Sequence, residues 1–583
     1  MHRWLILLVV LVLWMPGMVS AAEKRDLDVK TMLEGSAKGL LNNSQFLAPA
    51  GAKAAAAPFE GTLKLQGIEM NTEPAEFKSR QIMGKDPKVF PSAVLSFITV
   101  DDDLVPSSQE VLRFGSIPGD KSFWDMIVQP GKIWSEAGDE GWNRASFPFA
   151  LVHSLEGETH NGVATFIYKD GQISKLHFQI VQMTSPFYVE DYFTAWGAIP
   201  AILDQAPVAD KDKLGETWKA ARKEALPFNP WQELEALVGR DKVAKYNTDV
   251  RPEESVISAL FFKGKLYLQA ADTPAGPLPY AERQRFGVWS VTKTLGNTLT
   301  MLRLAEKFGP EVFDLKVVDY ITELTDPGWA KVTFGDLLNM ASGTGRGQAE
   351  AEPYNISSGQ IDDFYGPWYE AGSAADKIAA HKAETQFYSW GPGKVTRYRD
   401  HDHVLLGFAM DRFLKSKEGP EAHIWTMMEE EVFKPIGILY APINRSIETD
   451  GPGLPIMAMG YYPTVEDMVK IARLMDNQGA FNGRQILNKE MLADILPGPT
   501  PRGLPTGDTV VGTHYHKGTW QMPYKTAAGE IFYTVMRGWG GNYVLIFPEH
   551  IIAVRVAKNW DGDTGSASTA SMADTAFGLM NLK

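Results

Sequence analysis

The chain has 583 residues, 44% hydrophobic and 22% charged, with a net charge of −14; this is ordinary globular composition with ample apolar material for a large core. The acidic balance, with no basic stripe to offset it, excludes nucleic acid as the natural partner. There is no cysteine, which excludes disulfides, thiolate metal sites, a cysteine nucleophile and a lipid-modified N-terminal cysteine.

Taken in order, residues 1–22 read as a signal peptide. His2-Arg3 precede an uncharged apolar run from Trp4 to Met15, Pro16-Gly17 break it, and Val19-Ser20-Ala21-Ala22 supply small residues for cleavage. The expectation is export to a bacterial periplasm or beyond, with no stable membrane insertion, since the run is too short for a comfortable transmembrane helix. Residues 23–58 read as a polar helical segment followed by an Ala-rich linker from Ala48 to Pro58.

Residues 59–208 carry mostly strand signals and are expected to form a separate β-rich domain, a sandwich or barrel-like module. Val163–Tyr168 and Ile173–Ile180 flank Lys169-Asp-Gly-Gln172, a hairpin signature, and Leu176, Phe178 and Ile180 alternate. His153, His160 and His177 are scattered through it and read as structural histidines. Residues 209–230 read as a linker helix closed by Pro227 and Pro230.

The second domain is expected from Trp231 to the C-terminus. Ile257–Gln269 reads as a hairpin across Lys263-Gly264, and strands return at Gly518–Tyr524, Ile531–Met536 and Tyr543–Lys558, before a helix at Ala567–Met580. Strands from both ends of a domain with helices between them predict an α+β fold with an antiparallel sheet built from both termini.

Between these strands lies Gly287-Val-Trp-Ser-Val-Thr-Lys-Thr-Leu-Gly296, which holds Ser290 and Lys293, the one Ser-x-x-Lys in the chain. The residues after it read as a helix, with Leu295, Leu299 and Leu302 at helical spacing and Gly309-Pro310 as the stop. Positions i and i+3 share a helix face, so the amine can reach the hydroxyl. A hydroxyl nucleophile needs a nearby base, and a lysine serves only if burial lowers its pKa; Val288, Trp289, Val291 and Leu295 offer an apolar shell.

Several further segments, in order, make residues from about 255 to 583 resemble the serine β-lactamase and penicillin-binding-protein superfamily. The likeness is to its class C-related branch of esterases, D-aminopeptidases and 6-aminohexanoate-oligomer hydrolases. Phe286-Gly-Val-Trp-Ser-Val-Thr-Lys293 resembles the nucleophile motif, and Val332–Gly343 the stretch ending in Leu-Leu-x-x-x-Ser-Gly. Pro392-Gly-Lys-Val-Thr-Arg-Tyr-Arg-Asp400 resembles the segment carrying Tyr-x-Asn. Phe433-Lys-Pro-Ile-Gly437, Pro463-Thr-Val-Glu-Asp467 and Gly538-Trp-Gly-Gly-Asn-Tyr543 complete the series.

The resemblance implies a serine hydrolase with Ser290 as acylated nucleophile, Lys293 as general base or proton shuttle, and Tyr398 passing protons to the leaving group. It implies an oxyanion hole from the backbone N–H groups of Ser290 and Trp539. Two departures stand out. Asp400 occupies the place of the asparagine, and a carboxylate beside Lys293 would raise its pKa, unless Asp400 points elsewhere. Met536-Arg537-Gly538 replaces the usual Lys or His, any residue, Gly; strand alternation points Arg537 away from the side that Met536 faces. These losses put an amide or ester hydrolase ahead of a β-lactamase or penicillin-recognising carboxypeptidase; a binding protein with a decayed site is the non-enzyme alternative. Trp289, Asp400, Met536 and Gly538 are the expected lining, with Trp539, Tyr388 and Trp390 adding an aromatic surface.

No cofactor or metal is implied. Asp400-His-Asp-His403 opens a helix, where i and i+2 diverge, and His514-Tyr-His516 lacks a third ligand nearby. Asp561-Gly-Asp563 reads as a turn. The expected partner is a small-molecule or short-peptide amide or ester.

Overall fold

The computed structural model describes residues 25–79, 84–114, 120–345, 365–498, 500–507, 510–559 and 568–580. The apolar run at 1–22, Asp561-Gly-Asp563 and the whole segment between Gly345 and Tyr365 lie outside them. Among the described residues no helix is long and apolar enough to cross a membrane.

The N-terminal strands are β1 (Glu60–Leu65), β2 (Asn71–Glu73), β3 (Ala93–Val100), β4 (Asp103–Pro106), β5 (Gly131–Ser135), β6 (Asn143–Val152), β7 (His160–Lys169), β8 (Leu176–Met183), β9 (Thr194–Ile199) and β10 (Ala201–Asp204). They form one sheet in the order β10-β1-β3-β4-β5-β6-β7-β8-β9-β2, with Asp125–Val128 and Gln172–Ile173 pairing β6 and β7 to make twelve strands. The β7–β8 hairpin turns at Asp170 (φ 48°) and Gly171 (φ 76°), the double left-handed turn that matches strand twist.

β6, β7 and β8 are buried almost throughout, so both faces of the sheet centre are covered. The expected polar helix before the sheet is a six-residue helix, α1 (Val29–Glu34), within an otherwise irregular strap. Its Leu27, Met32 and Phe46 pack on Val163 and Ile167; propensity alone overstated the helix because the segment is held by apolar anchors. The Ala-rich stretch is tied down too, for Lys53 exchanges backbone hydrogen bonds with Ser135. The three scattered histidines are packed. His153 stacks on Phe123 at 3.6 Å, His160 lies 2.7 Å from Glu158, and His177 lies 3.2 Å from the Met32 carbonyl.

α2 (Lys211–Lys223) leads to the second sheet: β11 (Phe228–Pro230), β12 (Ser255–Phe262), β13 (Lys265–Ala270), β14 (Leu504–Pro505), β15 (His514–His516), β16 (Thr519–Thr526), β17 (Gly529–Gly538), β18 (Asn542–Phe547) and β19 (Ile551–Ala557). The order is β11-β13-β12-β19-β18-β17-β16-β15-β14. All pairs are antiparallel except β11–β13. The single long strand expected at Tyr543–Lys558 is two, because Glu549 and His550 turn with φ 60° after Pro548.

Alternation divides this sheet. One face packs on α3 (Trp231–Val238) and α9 (Ala570–Leu579) through Leu260, Tyr543, Leu545 and Met572. The other carries Ala259, Met536, Val544 and Val554 into a core shared with the helices α4 (Leu299–Phe308), α5 (Tyr365–Glu370), α6 (Ala374–Glu384), α7 (Asp400–Glu418) and α8 (Val465–Asp476). That same cluster continues into the first sheet through Phe149, Tyr188 and Trp289. The α+β reading and the β-rich N-terminal region are therefore both present, with one apolar core across them.

A Cβ on Gly131 would sit 1.8 Å from the Ser146 carbonyl oxygen, so β5 can approach β6 only without a side chain. Gly131→Ala should destabilise the protein by on the order of 3 kcal/mol, read as a lowered denaturant midpoint. Gly138→Ala, with nothing within 4 Å of the new Cβ, is the control; equal midpoints for both would refute the steric account.

Candidate active site

Ser290 stands at the entry of the helix continued by α4. The entry is a π-helical turn, Lys293–Thr298, a local widening that recurs at functional sites. Lys293, the residue one turn on, is 1% exposed. Its Nζ donates to Ser290 Oγ at 2.7 Å and to the Ala458 carbonyl at 3.2 Å, and it is paired with Asp400 Oδ1. An ammonium has three donors, and here each has an acceptor from a different part of the chain.

Burial pulls the Lys293 pKa down, but the Asp400 carboxylate and Tyr398 outweigh it and hold the group above its ordinary 10.5. Asp400 therefore points at the lysine, which removes the alternative that it faces elsewhere. Tyr398, just before α7, places its ring 5.0 Å from Nζ. Ser290, Lys293, Tyr398 and Asp400 are thus brought together from two helices more than a hundred residues apart.

The strand end is shaped by Gly538. A Cβ there would lie 2.1 Å from the Val288 carbonyl oxygen, so the end of β17 reaches the backbone before Ser290 only as glycine. Trp539, half-buried, follows in the turn to β18, and its carbonyl accepts from the Asn542 amide.

The other expected lining residues lie differently. Met536 is fully buried in the helical-side core with Val544 and Val554, so it does not line an open site; strand alternation sends it under the sheet. Arg537, on the opposite face, lies 5.2 Å from the Trp520 ring, which in turn is 5.1 Å from Tyr398. A cation thus stands near Tyr398 on the face away from Met536. Trp289 is 6% exposed and donates its indole N–H to the Ser185 carbonyl of the first domain at 2.9 Å, so it is an anchor more than a lining. Tyr388 and Trp390 pack on each other at 4.5 Å.

The histidines near α7 diverge. His401 packs at a tilt on Trp368 with ring centroids 4.1 Å apart, Asp402 pairs with Arg399 at 2.6 Å, and His403 Nδ1 contacts the Asn297 amide at 2.9 Å. His514 meets the Gly512 carbonyl at 2.8 Å and His516 meets Asp494 at 3.0 Å. Among the described residues no three His, Asp or Glu side chains converge as metal ligands do.

Sequence reasoning missed two parts of the site. The Ala458 carbonyl has no side-chain signature at all. Lys377 of α6, buried, donates to the Trp368 and Tyr369 carbonyls at 3.2 and 3.1 Å; burial pushes it down to about 8, with Asp400 opposing. Arg537 was legible as the neighbour of Gly538, but which face Tyr398 occupies was not.

The family model described as Beta-lactamase matches residues 259–577. Among solved structures, the chain is similar to a putative 6-aminohexanoate-dimer hydrolase from Bacillus anthracis, at 17% identity over 56% of this chain and 79% of that one, with a TM-score of 0.41. It is similar to a penicillin-binding protein homologue from Caulobacter crescentus, at 15% identity over 58% and 97%, TM-score 0.41. It is also similar to a putative beta-lactamase from Bacteroides dorei DSM 17855, at 14% identity over 58% and 97%, TM-score 0.42. No curated protein sequence matches.

Because the Asp400 carboxylate is the larger of the two influences that keep Lys293 protonated, Asp400→Asn leaves burial opposed by Tyr398 alone and lowers the lysine's pKa. The pH at which the rate of p-nitrophenyl acetate hydrolysis rises should then move down by about one unit or more. An unchanged pH profile would show that Lys293 ionisation does not govern the rate.

Proposed function

The chain belongs to the beta-lactamase family, a superfamily of serine hydrolases, and from that premise we propose that it cleaves an amide or ester through an acyl-enzyme on Ser290. The observation that carries this is the buried Lys293 amine 2.7 Å from Ser290 Oγ, in contact with both Asp400 and Tyr398. A hydroxyl beside a fixed ammonium gains stability for the negative charge it acquires as it attacks.

In acylation, Ser290 Oγ forms a bond to the substrate carbonyl carbon and the carbonyl electrons move onto oxygen. The backbone N–H groups of Ser290 and Trp539 are the proposed donors to that oxyanion. The serine proton passes by way of Lys293 and Tyr398 to the leaving nitrogen or oxygen, whose bond to carbon breaks with its electron pair. Lys293 ends each transfer as the ammonium it began as, held in that form by the Asp400 carboxylate. Water then attacks the acyl carbon, gives its proton back along the same path, and frees Ser290 and the acid.

The proposed substrate is a short peptide, oligomeric amide or carboxylic ester, met outside the cytoplasm if the apolar run at residues 1–22 directs export. A second reading, a penicillin-recognising carboxypeptidase or β-lactamase, draws support from Arg537, whose guanidinium near Trp520 and Tyr398 is a cation suited to a substrate carboxylate. Labelling by a fluorescent penicillin, lost in Arg537→Ala, would favour that reading.

Intact mass after treatment with a fluorophosphonate should show one adduct, absent in Ser290→Ala. Lys293→Ala and Tyr398→Phe should each slow ester turnover by about 100-fold or more. A folded protein that gains no adduct would move the weight to a binding protein with a decayed site.

A further inference from the structure

The residues that lead into Ser290 are held by the N-terminal domain as well as by their own, where Arg285 pairs with Asp467 and the Phe286 N–H donates to the Pro463 carbonyl. Asn161 Nδ2 donates to the Arg285 carbonyl at 2.7 Å and to Gln284 Oε1 at 2.9 Å. The Gly287 N–H donates to Thr159 Oγ1 at 3.1 Å, and the Trp289 indole donates to the Ser185 carbonyl at 2.9 Å. Arg285 itself reaches Gln129 of the first domain at 3.1 Å. From Gln284 to Trp289 the chain is thus sewn to β7, to the loop before it, to Ser185 after β8 and to Gln129 before β5.

The fit leaves no slack. A Cβ on Gly287 would lie 2.1 Å from the Gly157 carbonyl oxygen, and one on Gly157 would lie 2.4 Å from the Met459 carbonyl oxygen. The loop of the first domain is therefore wedged between the backbone before Ser290 and the backbone that follows Ala458, whose carbonyl holds Lys293. Asn444 closes the same wedge by donating to the His153 and Glu156 carbonyls at 2.8 and 2.6 Å.

The loop is itself braced. Thr159 and Thr184 exchange hydrogen bonds at 2.9 Å in both directions. The Phe187 N–H donates to Glu158 at 2.7 Å and the Tyr188 N–H to Glu156 at 3.0 Å. Ser185, the acceptor for Trp289, is thereby fixed. Trp289 needs such an anchor, since its backbone is left-handed at φ 50°, a conformation a bulky side chain adopts only when its surroundings impose it.

We infer that the N-terminal sheet domain is part of the catalytic apparatus, with Thr159 and the Trp289–Ser185 contact as positioning elements that fix the backbone of the nucleophile. This rests on Ser290 being the nucleophile. Gly157, Thr159 and Asn161 are tied to the geometry of a residue in another domain. Displacing a nucleophile by a fraction of an ångström slows attack without altering how substrate is gripped.

The test uses the full chain with Thr159→Val, which keeps the volume and removes the hydroxyl, Thr159→Ser, which restores it, and Trp289→Phe. Amide hydrogen exchange should quicken in the peptide spanning residues 284–293 for Thr159→Val and Trp289→Phe, while the rest of both domains exchanges as in wild type. The fluorophosphonate acylation rate should fall about tenfold or more, with KM for p-nitrophenyl acetate within about twofold, and Thr159→Ser should recover both. Unchanged exchange in that peptide, or a rise spread evenly over the whole chain as in general destabilisation, would overturn the inference. If wild type takes up no fluorophosphonate, the nucleophile assignment fails on its own, and the exchange pattern still decides whether the first domain fixes this backbone.

Discussion

A charge buried away from water must be paired or the fold pays several kcal/mol for it, and Lys293 is such a charge. At 1% exposure its ammonium has three acceptors: Ser290 on its own helix, Asp400 at the start of α7, and the Ala458 carbonyl. Each lies in a different stretch, so the lysine is satisfied only when all three are in register. Asn297, one turn further on, repeats the device, donating to His403 and to the Met457 carbonyl. Two polar side chains on one helix thereby lock α7 and the segment before α8 to it, and the site is the place where these locks meet.

The second constraint is steric. Gly538 against Val288, Gly287 against Gly157, and Gly157 against Met459 are backbone contacts with no room for a methyl group. They bring three layers together around Ser290: the end of β17, the turn that carries the serine, and a loop of the N-terminal sheet. Glycine at these positions does not supply flexibility. It permits approach, and the neighbouring hydrogen bonds then remove the freedom it brings. The continuous apolar core from Phe149 through Trp289 to Val554 means that the two sheets share the energetic cost of holding this geometry.

The pairing with Asp400 changes the character of the site. A lysine held above its ordinary pKa is a positive charge beside Ser290. That suits a reaction in which the serine oxygen and the carbonyl oxygen both gain negative charge. The Tyr398 ring lies 5.0 Å from the same nitrogen, and Tyr398 is the proposed route by which a proton reaches the leaving atom. The cationic Arg537 stands one ring further away, beyond Trp520.

Short-range signals in the sequence settled a good deal. The i, i+3 spacing of Ser290 and Lys293, the hairpin turns at Asp170-Gly171 and Lys263-Gly264, and the alternation of the closing strands all depend on neighbours within a few residues, where the 3.6 and 2.0 periodicities act. The family motifs likewise placed Tyr398 and Asp400 near the serine. What the tertiary structure decided were contacts across long separations. Which way Asp400 points depends on where α7 docks, and that Met536 lies buried in the core instead of lining the site depends on what packs against its face of β17. The N-terminal domain's part was invisible for the same reason: Thr159, Asn161 and Ser185 are ordinary residues in a strand and a loop, and only folding sets them against a backbone more than a hundred positions away. Local pattern determines which atoms a segment presents; the packing of two cores determines which of those atoms meet.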